Sequence, residues 1–175
     1  MRYTGAMIAP IAGVEWPRLI PMAILAASVG ALAVAYIAEV VFGLEPCILC
    51  LYQRVPYAAT GILAILALGV PPRSRVRAAS VALCGAVFLA GAGIAVYHVG
   101  VEQHWWAGTA ACAGALPAEM TVETLRAELA ARPPKPCDQA DSTLFGISFA
   151  GYNLIASLAL AAFSVAGARR LMGAS

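Results

Sequence analysis

"GLEPCILCLYQRVPY", residues 43–57, is the stretch whose reading decides the fold. Two cysteines, Cys47 and Cys50, stand two residues apart, and Arg54 follows. From residue 55 to residue 72 there is no Asp, Glu, Lys or Arg. A thiol pair and a permanent charge therefore sit at the mouth of an apolar run long enough to cross a bilayer, which takes about 20 residues. Residues 19–38, 78–101 and 142–168 are equally free of charge. The chain as a whole is 62% hydrophobic and only 11% charged. A soluble domain carries roughly a quarter charged residues, so the composition points to a membrane protein. The net charge is +2, and no basic tail or repeat suggests nucleic acid.

Four spans are expected, near 20–43, 47–70, 78–99 and 145–167, in a single membrane domain covering 1–175. Each should be a helix, because a helix satisfies its own backbone polar groups in lipid. The fold class is thus an all-α integral membrane protein, a four-transmembrane-helix bundle. The first span is too long, with the wrong flanks, for a cleaved signal peptide, and reads as a retained anchor. Arg2, Arg18, Arg73, Arg75, Arg77, Arg169 and Arg170 fall at the two chain ends and in the 71–77 loop. Four spans put these segments on one side, and basic residues mark that side as cytoplasmic.

The cysteines then sort by side. Cys47 and Cys50 open the second span, while Cys112 and Cys137 lie in the long 101–141 loop, also on the outer face. That face permits disulfides. Cys84 lies inside the third span and reads as a small buried apolar residue. The 101–141 loop exceeds the ~12–15 residues usual for an unstructured connection, so it should be functional or partly folded. It opens with Trp105 and Trp106, which suit the interfacial aromatic belt. "TVETLRAELAAR", residues 121–132, spaces Val122, Leu125 and Leu129 at helical intervals behind a capping Thr121. A short amphipathic helix on the membrane surface is expected there, ended by the prolines from Pro133 to Pro136. The alternative is an extramembrane cap with a structural disulfide.

Thiol–disulfide exchange runs through the thiolate. The first turn of a helix offers unpaired N–H groups and a positive dipole end, both of which stabilise one. Pro46 fits such a start. Arg54 follows Cys50 at i+4, about 6 Å along the helix axis, on the same face. A lowered pKa is therefore expected at Cys50. Arg54 could also snorkel, or donate hydrogen bonds to a carbonyl of a lipid-soluble acceptor such as a quinone. CxxC alone also occurs in zinc and haem sites. A C-x-x-C-H haem site is excluded because Leu51 follows Cys50. Zinc would need four ligands, which Cys47, Cys50, Cys112 and Cys137 could supply only with an irregular spacing.

"GLEPCILCLYQRVPY", the second cysteine pair and "CDQADSTLFGISFAGYN" together resemble the DsbB family of bacterial disulfide bond formation proteins. The resemblance covers nearly the whole chain. It implies a membrane thiol–quinone oxidoreductase that reoxidises a periplasmic DsbA-like dithiol protein of thioredoxin fold. It places the protein as a multi-pass chain in the bacterial inner membrane, with the active cysteines on the periplasmic face. By the resemblance, Cys112 is attacked by the reduced partner and Cys137 is released to pass the exchange to Cys47. Cys47 and Cys50 then deliver electrons to ubiquinone or menaquinone, with Cys50 in thiolate contact with the ring and Arg54 binding it; no metal is implied. His98 resembles the histidine of a family His-x-x-Leu-Gln pattern near the quinone, from which Val101 and Glu102 depart. Glu39 could pair with Arg54 or sit at the outer interface. Two other readings stand beside this one. A vitamin K epoxide reductase-like enzyme would have its loop pair before the CxxC, the reverse of the order here. A non-enzymatic membrane protein would use the cysteines structurally or for zinc.

Overall fold

The computed structural model describes residues 15–113, 121–123, 126, 135–140 and 143–173. Among these, four helices are long and apolar enough to cross a membrane: α1 (Trp16–Val40), α2 (Ile48–Gly69), α3 (Arg75–Glu102) and α5 (Phe149–Met172). Between α3 and α5 lie a one-turn helix, α4 (Ala110–Ala113), and two short strands, β1 (Thr143–Leu144) and β2 (Ile147–Ser148). The protein is an α-helical transmembrane bundle. Most of the segment expected as a surface helix, residues 121–132, lies outside the described residues, as do Arg2, Pro133 and Pro134.

Local chemistry sets the helix ends. α1 starts earlier than the charge-free run, because Pro17 occupies a first-turn position whose N–H has no partner to lose. Ser74 caps α3, its Oγ accepting from Arg77 N–H at 3.2 Å. That carries α3 outward past the expected 78–99 to include Arg75, Arg77 and Glu102. The largest departure is at the last helix. Residues 143–148 form a two-residue hairpin, with Thr143 opposite Ser148 and Leu144 opposite Ile147. Phe145 and Gly146 at its tip have φ of 52° and 78°. This is the twist that a right-handed strand pair demands. The helix therefore begins at Phe149, capped by Ser148, whose Oγ accepts from Gly151 N–H at 3.2 Å.

α3 packs mainly on α5 and α2, and α1 packs mainly on α2. With little hydrophobic drive between helices in lipid, close backbone approach and a few polar bonds must hold the bundle. At Gly91 an added Cβ would lie 3.1 Å from the Pro56 ring. Ser28 and Thr60 share a hydrogen bond of 2.9 Å between α1 and α2. Cys84 is fully buried in this inner core, beside Val81 and Phe88. Arg77, expected as a charge of the inner loop, is buried: it donates to the carbonyls of Ala67 (2.9 Å) and Leu68 (3.4 Å), and to that of Val70. A cation here closes the C-terminus of α2, where orphan carbonyls and the negative dipole end coincide.

Candidate active site

At the opposite end of the bundle, α2 begins on a sulfur. Cys47 is the residue before the first helical turn, with φ −71° and ψ 169°, and its Sγ accepts from the Cys50 N–H at 3.3 Å. The sulfur takes the place that a serine or aspartate oxygen usually fills. Pro46 thus stands one position before the cap, not in the first turn as expected. The cap bond from the first turn goes to Cys47 rather than Cys50. Cys47 and Cys50 are free thiols with their sulfurs 3.1 Å apart.

His98 comes to this pair from α3. Its Nε2 lies 3.5 Å from the Cys47 sulfur and its Nδ1 2.7 Å from the Gln53 amide nitrogen. Ligating atoms of Cys47, Cys50 and His98 all lie within 4.8 Å of one another. The Cys47 thiol is held well below its usual range, at about 4. Its hydrogen bond with Cys50 is the main cause; burial opposes this, while His98 and the Cys50 backbone N–H add to it.

The loop pair is joined as a disulfide, Cys112–Cys137, with the Cα atoms 5.1 Å apart. Two of the four sulfurs that a zinc site would need are therefore bonded to each other. Thr109 starts α4, its carbonyl accepting from Cys112 N–H at 2.8 Å and its hydroxyl donating to the Cys112 sulfur at 3.6 Å. A Cβ at Gly108 would lie 2.8 Å from the Cys112 Cβ, so only glycine lets the chain pass here. Cys47, Cys112 and Cys137 pack with Leu49 and Val101 in one buried cluster, with Cys50 at its edge. The two pairs are neighbours.

α3 ends beneath this cluster. Trp105 N–H reaches the Gly100 carbonyl (2.9 Å) and His104 N–H the Val101 carbonyl (3.1 Å), with His104 in the left-handed region at φ 58°. This turn folds Trp106 back so that its indole stacks on Tyr97 and donates to the Tyr97 carbonyl at 2.9 Å. A Cβ at Gly100 would collide with that indole. Of the two tryptophans expected in an interfacial belt, Trp105 points outward and Trp106 braces the end of α3.

A cavity of about 470 Å³ opens beside the thiols, within the ~300–1,000 Å³ usual for small-molecule sites. Leu32, Val34 and Ala35 of α1 give it apolar walls, while Cys50, Arg54 and His98 face it with polar atoms. A quinone, flat and apolar with two carbonyl oxygens, fits that donor set. Arg54 is not turned to Cys50. Its guanidinium is bound to Glu39 of α1 at 2.7 Å and lies 4.7 Å from the centre of the Tyr36 ring. The open question of Glu39 is thus resolved in favour of the ion pair. Gln53, Tyr57, Glu102 and Asn153 also line the cavity, and none was singled out from sequence. The available signal was that amides and a carboxylate inside membrane helices are rare unless they face a cavity or one another.

Two cysteine pairs, one oxidised and one reduced, packed together at one end of a membrane bundle beside an apolar cavity, define a membrane protein built for thiol–disulfide exchange. The profile described as disulfide bond formation protein DsbB matches residues 17–167, and the chain belongs to that family. It is 32% identical over 142 residues to disulfide bond formation protein B of Methylobacillus flagellatus, covering 79% of this chain and 85% of that one. It is 37% identical over 82 residues to the protein of the same name from Neisseria gonorrhoeae, covering 47% and 48%. An uncharacterized protein of Rickettsia prowazekii is 26% identical over 148 residues, covering 83% and 84%. No solved structure matches the chain significantly. The protein is a thiol–quinone oxidoreductase of the membrane, and quinone is the family's electron acceptor.

Proposed function

We propose that electrons enter at Cys112–Cys137 from a periplasmic DsbA-like dithiol protein of thioredoxin fold, pass to Cys47–Cys50, and leave to ubiquinone or menaquinone. The observation that carries this reading is the packing of both pairs in one buried cluster at the mouth of the cavity. In the first exchange the partner's two thiols become a disulfide and Cys112–Cys137 becomes a dithiol. In the second, Cys137 attacks the Cys47–Cys50 disulfide, the loop disulfide re-forms, and the helix pair is left with two thiols. The structure has that last arrangement, with Cys112–Cys137 closed and Cys47 and Cys50 free. Bound quinone supplies the sink for the two electrons and two protons released when Cys47–Cys50 closes again. Arg54 is assigned to holding a ring oxygen, His98 to lining the quinone cavity beside Cys47, and the apolar wall of α1 to excluding water.

The same reading places the protein in the bacterial inner membrane with the cysteines on the periplasmic side. Arg18, Arg73, Arg75, Arg169 and Arg170 all flank the opposite ends of the helices, which supports cytoplasmic termini. The test is quinone reduction, followed by absorbance, with a reduced thioredoxin-fold partner as donor. Cys50→Ser and Cys112→Ser should each abolish turnover, and Cys112→Ser should also prevent oxidation of a stoichiometric amount of partner. Turnover surviving either substitution would remove that pair from the path.

A further inference from the structure

Four consecutive hydrogen bonds run across three helices and end on the Cys47 sulfur. Tyr57 OH donates to Asn153 Oδ1 at 2.6 Å. Asn153 Nδ2 donates to Gln53 Oε1. Gln53 Nε2 is then left to face His98 Nδ1 at 2.7 Å. With Gln53 Nε2 as the donor, Nδ1 is the bare, accepting nitrogen, and the ring proton of neutral His98 is on Nε2. Nε2 faces the Cys47 sulfur at 3.5 Å. In this arrangement every bond of the chain points toward Cys47; the reverse arrangement turns both amides over, puts the ring proton on Nδ1 and leaves Nε2 bare toward the sulfur, and ring ¹⁵N shifts distinguish the two.

Glu102 is a competing acceptor, but its Oε1 is 3.8 Å from Nε2, too far for a hydrogen bond. Its other oxygen is engaged by the Ser148 hydroxyl. His98, Gln53, Tyr57 and Ser157 are all buried, so the ring cannot swing out to water without leaving polar groups unpaired.

We propose that Gln53 and Asn153, with Tyr57 behind them, are positioning residues: they hold His98 as its Nε2–H tautomer and aim that proton at the Cys47 sulfur, so that the reduced pair carries its negative charge on Cys47. The consequence is a division of roles within the CxxC. Cys47 is kept ready as the attacking sulfur when the pair closes to a disulfide, while Cys50 faces the cavity. Closure of this thiolate–thiol pair joins the two sulfurs and releases two electrons and one proton, the proton from Cys50 and the electrons going to the quinone of the established activity, whose reduction takes its second proton from water. The role of Cys47 in turnover rests on the reading above; the state of His98 does not.

The chain has two histidines, and His104 is largely exposed, so His104→Ala leaves one ring to observe. The experiment uses the full-length protein in micelles with its helix pair reduced. It combines ¹⁵N NMR of the histidine ring with mass-mapped alkylation of Cys47 across pH. The other ionisable groups facing the cavity are Cys50, Glu45, Arg54, Tyr57, Glu102, Lys135 and Tyr152, and of these only Tyr57 changes in the variants. The wild-type ring should show a protonated Nε2 and a bare Nδ1. In Gln53→Leu the ring signals should shift toward a mixture of tautomers, and the pH below which Cys47 alkylation falls should rise by about one unit, the tenfold scale of one lost hydrogen bond to a charged group. Tyr57→Phe, which keeps the ring packing, should move both readouts the same way by less. A wild-type ring protonated on Nδ1, or Cys47 alkylation unchanged in both variants, overturns the proposal. Quinone turnover is measured alongside: if it survives Cys47→Ser, the electron path is wrong whatever His98 does. If it falls in Gln53→Leu while ring and alkylation stay put, the positioning role is wrong and the path stands.

Discussion

Cys47 takes the cap bond of α2 and has a pKa of about 4, against 9.0 for an ordinary thiol. It should therefore remain a thiolate across the whole interval between those values and gain a proton only as the pH falls through about 4. Alkylation of Cys47 in the reduced protein, mapped by mass spectrometry, is expected to be flat from alkaline pH down to about 5 and to fall below that. An inflection near the ordinary thiol value of ~8.5 would contradict the geometry. Arg54 invites a different experiment, since it contacts Glu39 and Tyr36 rather than a sulfur. If its work is at the cavity, Arg54→Ala should raise the KM for quinone about tenfold and leave the single-turnover oxidation of the partner intact, a ratio that corresponds to ~1.4 kcal/mol. An equal loss in both steps would make Arg54 a structural residue.

The close contact between α2 and α3 depends on proline meeting glycine. Pro56 has no N–H to give its own helix, and its ring fills the space that a side chain at residue 91 would need. Gly91→Val should destabilise the detergent-solubilised protein by about 1–3 kcal/mol, the usual cost of overpacking, read as a lower melting temperature. An unchanged melt would mean that the helices separate there at no cost. The four long helices were legible in the sequence because charges are scarce enough for each gap between them to mark a span. Their ends were not, since a helix runs on past the hydrocarbon wherever a cap such as Ser74 allows it. The hairpin was hidden for another reason. "TLFGIS" is as apolar as the helix that follows, and its turn places Phe145, not the more usual Asn or Asp, at a positive φ. The thiols and Arg54 stood out at the site because their chemistry is rare in a span. Gln53 and Asn153 did not, since an isolated amide in a helix acquires meaning only when its partner, 100 residues away, is in place.

At the scale of the whole molecule, the bundle lets one chain trade with two solvents. A soluble dithiol protein cannot enter lipid and a quinone does not leave it, so a single cysteine pair would have to face both. Here the pair on the loop and the pair on α2 share a buried cluster, and α1 closes the lipid side of the cavity. Cys84 lies in the separate inner core with Val81 and Phe88, where no disulfide partner is near among the described residues. The exchange should therefore be countable. With the helix pair reduced and the loop pair closed, the free thiols are Cys47, Cys50 and Cys84. Denaturation in an alkylating mass tag should add three tags in that state, mapping to those residues. After incubation with a soluble ubiquinone analogue the count should fall to the single tag on Cys84. If the count stays at three while the analogue is demonstrably bound, the helix pair is not the donor to quinone. In Cys112→Ser, where Cys137 is also free and the count starts at four, a fall to two means that closure of the helix pair does not need the loop disulfide, as expected of two pairs that act in sequence.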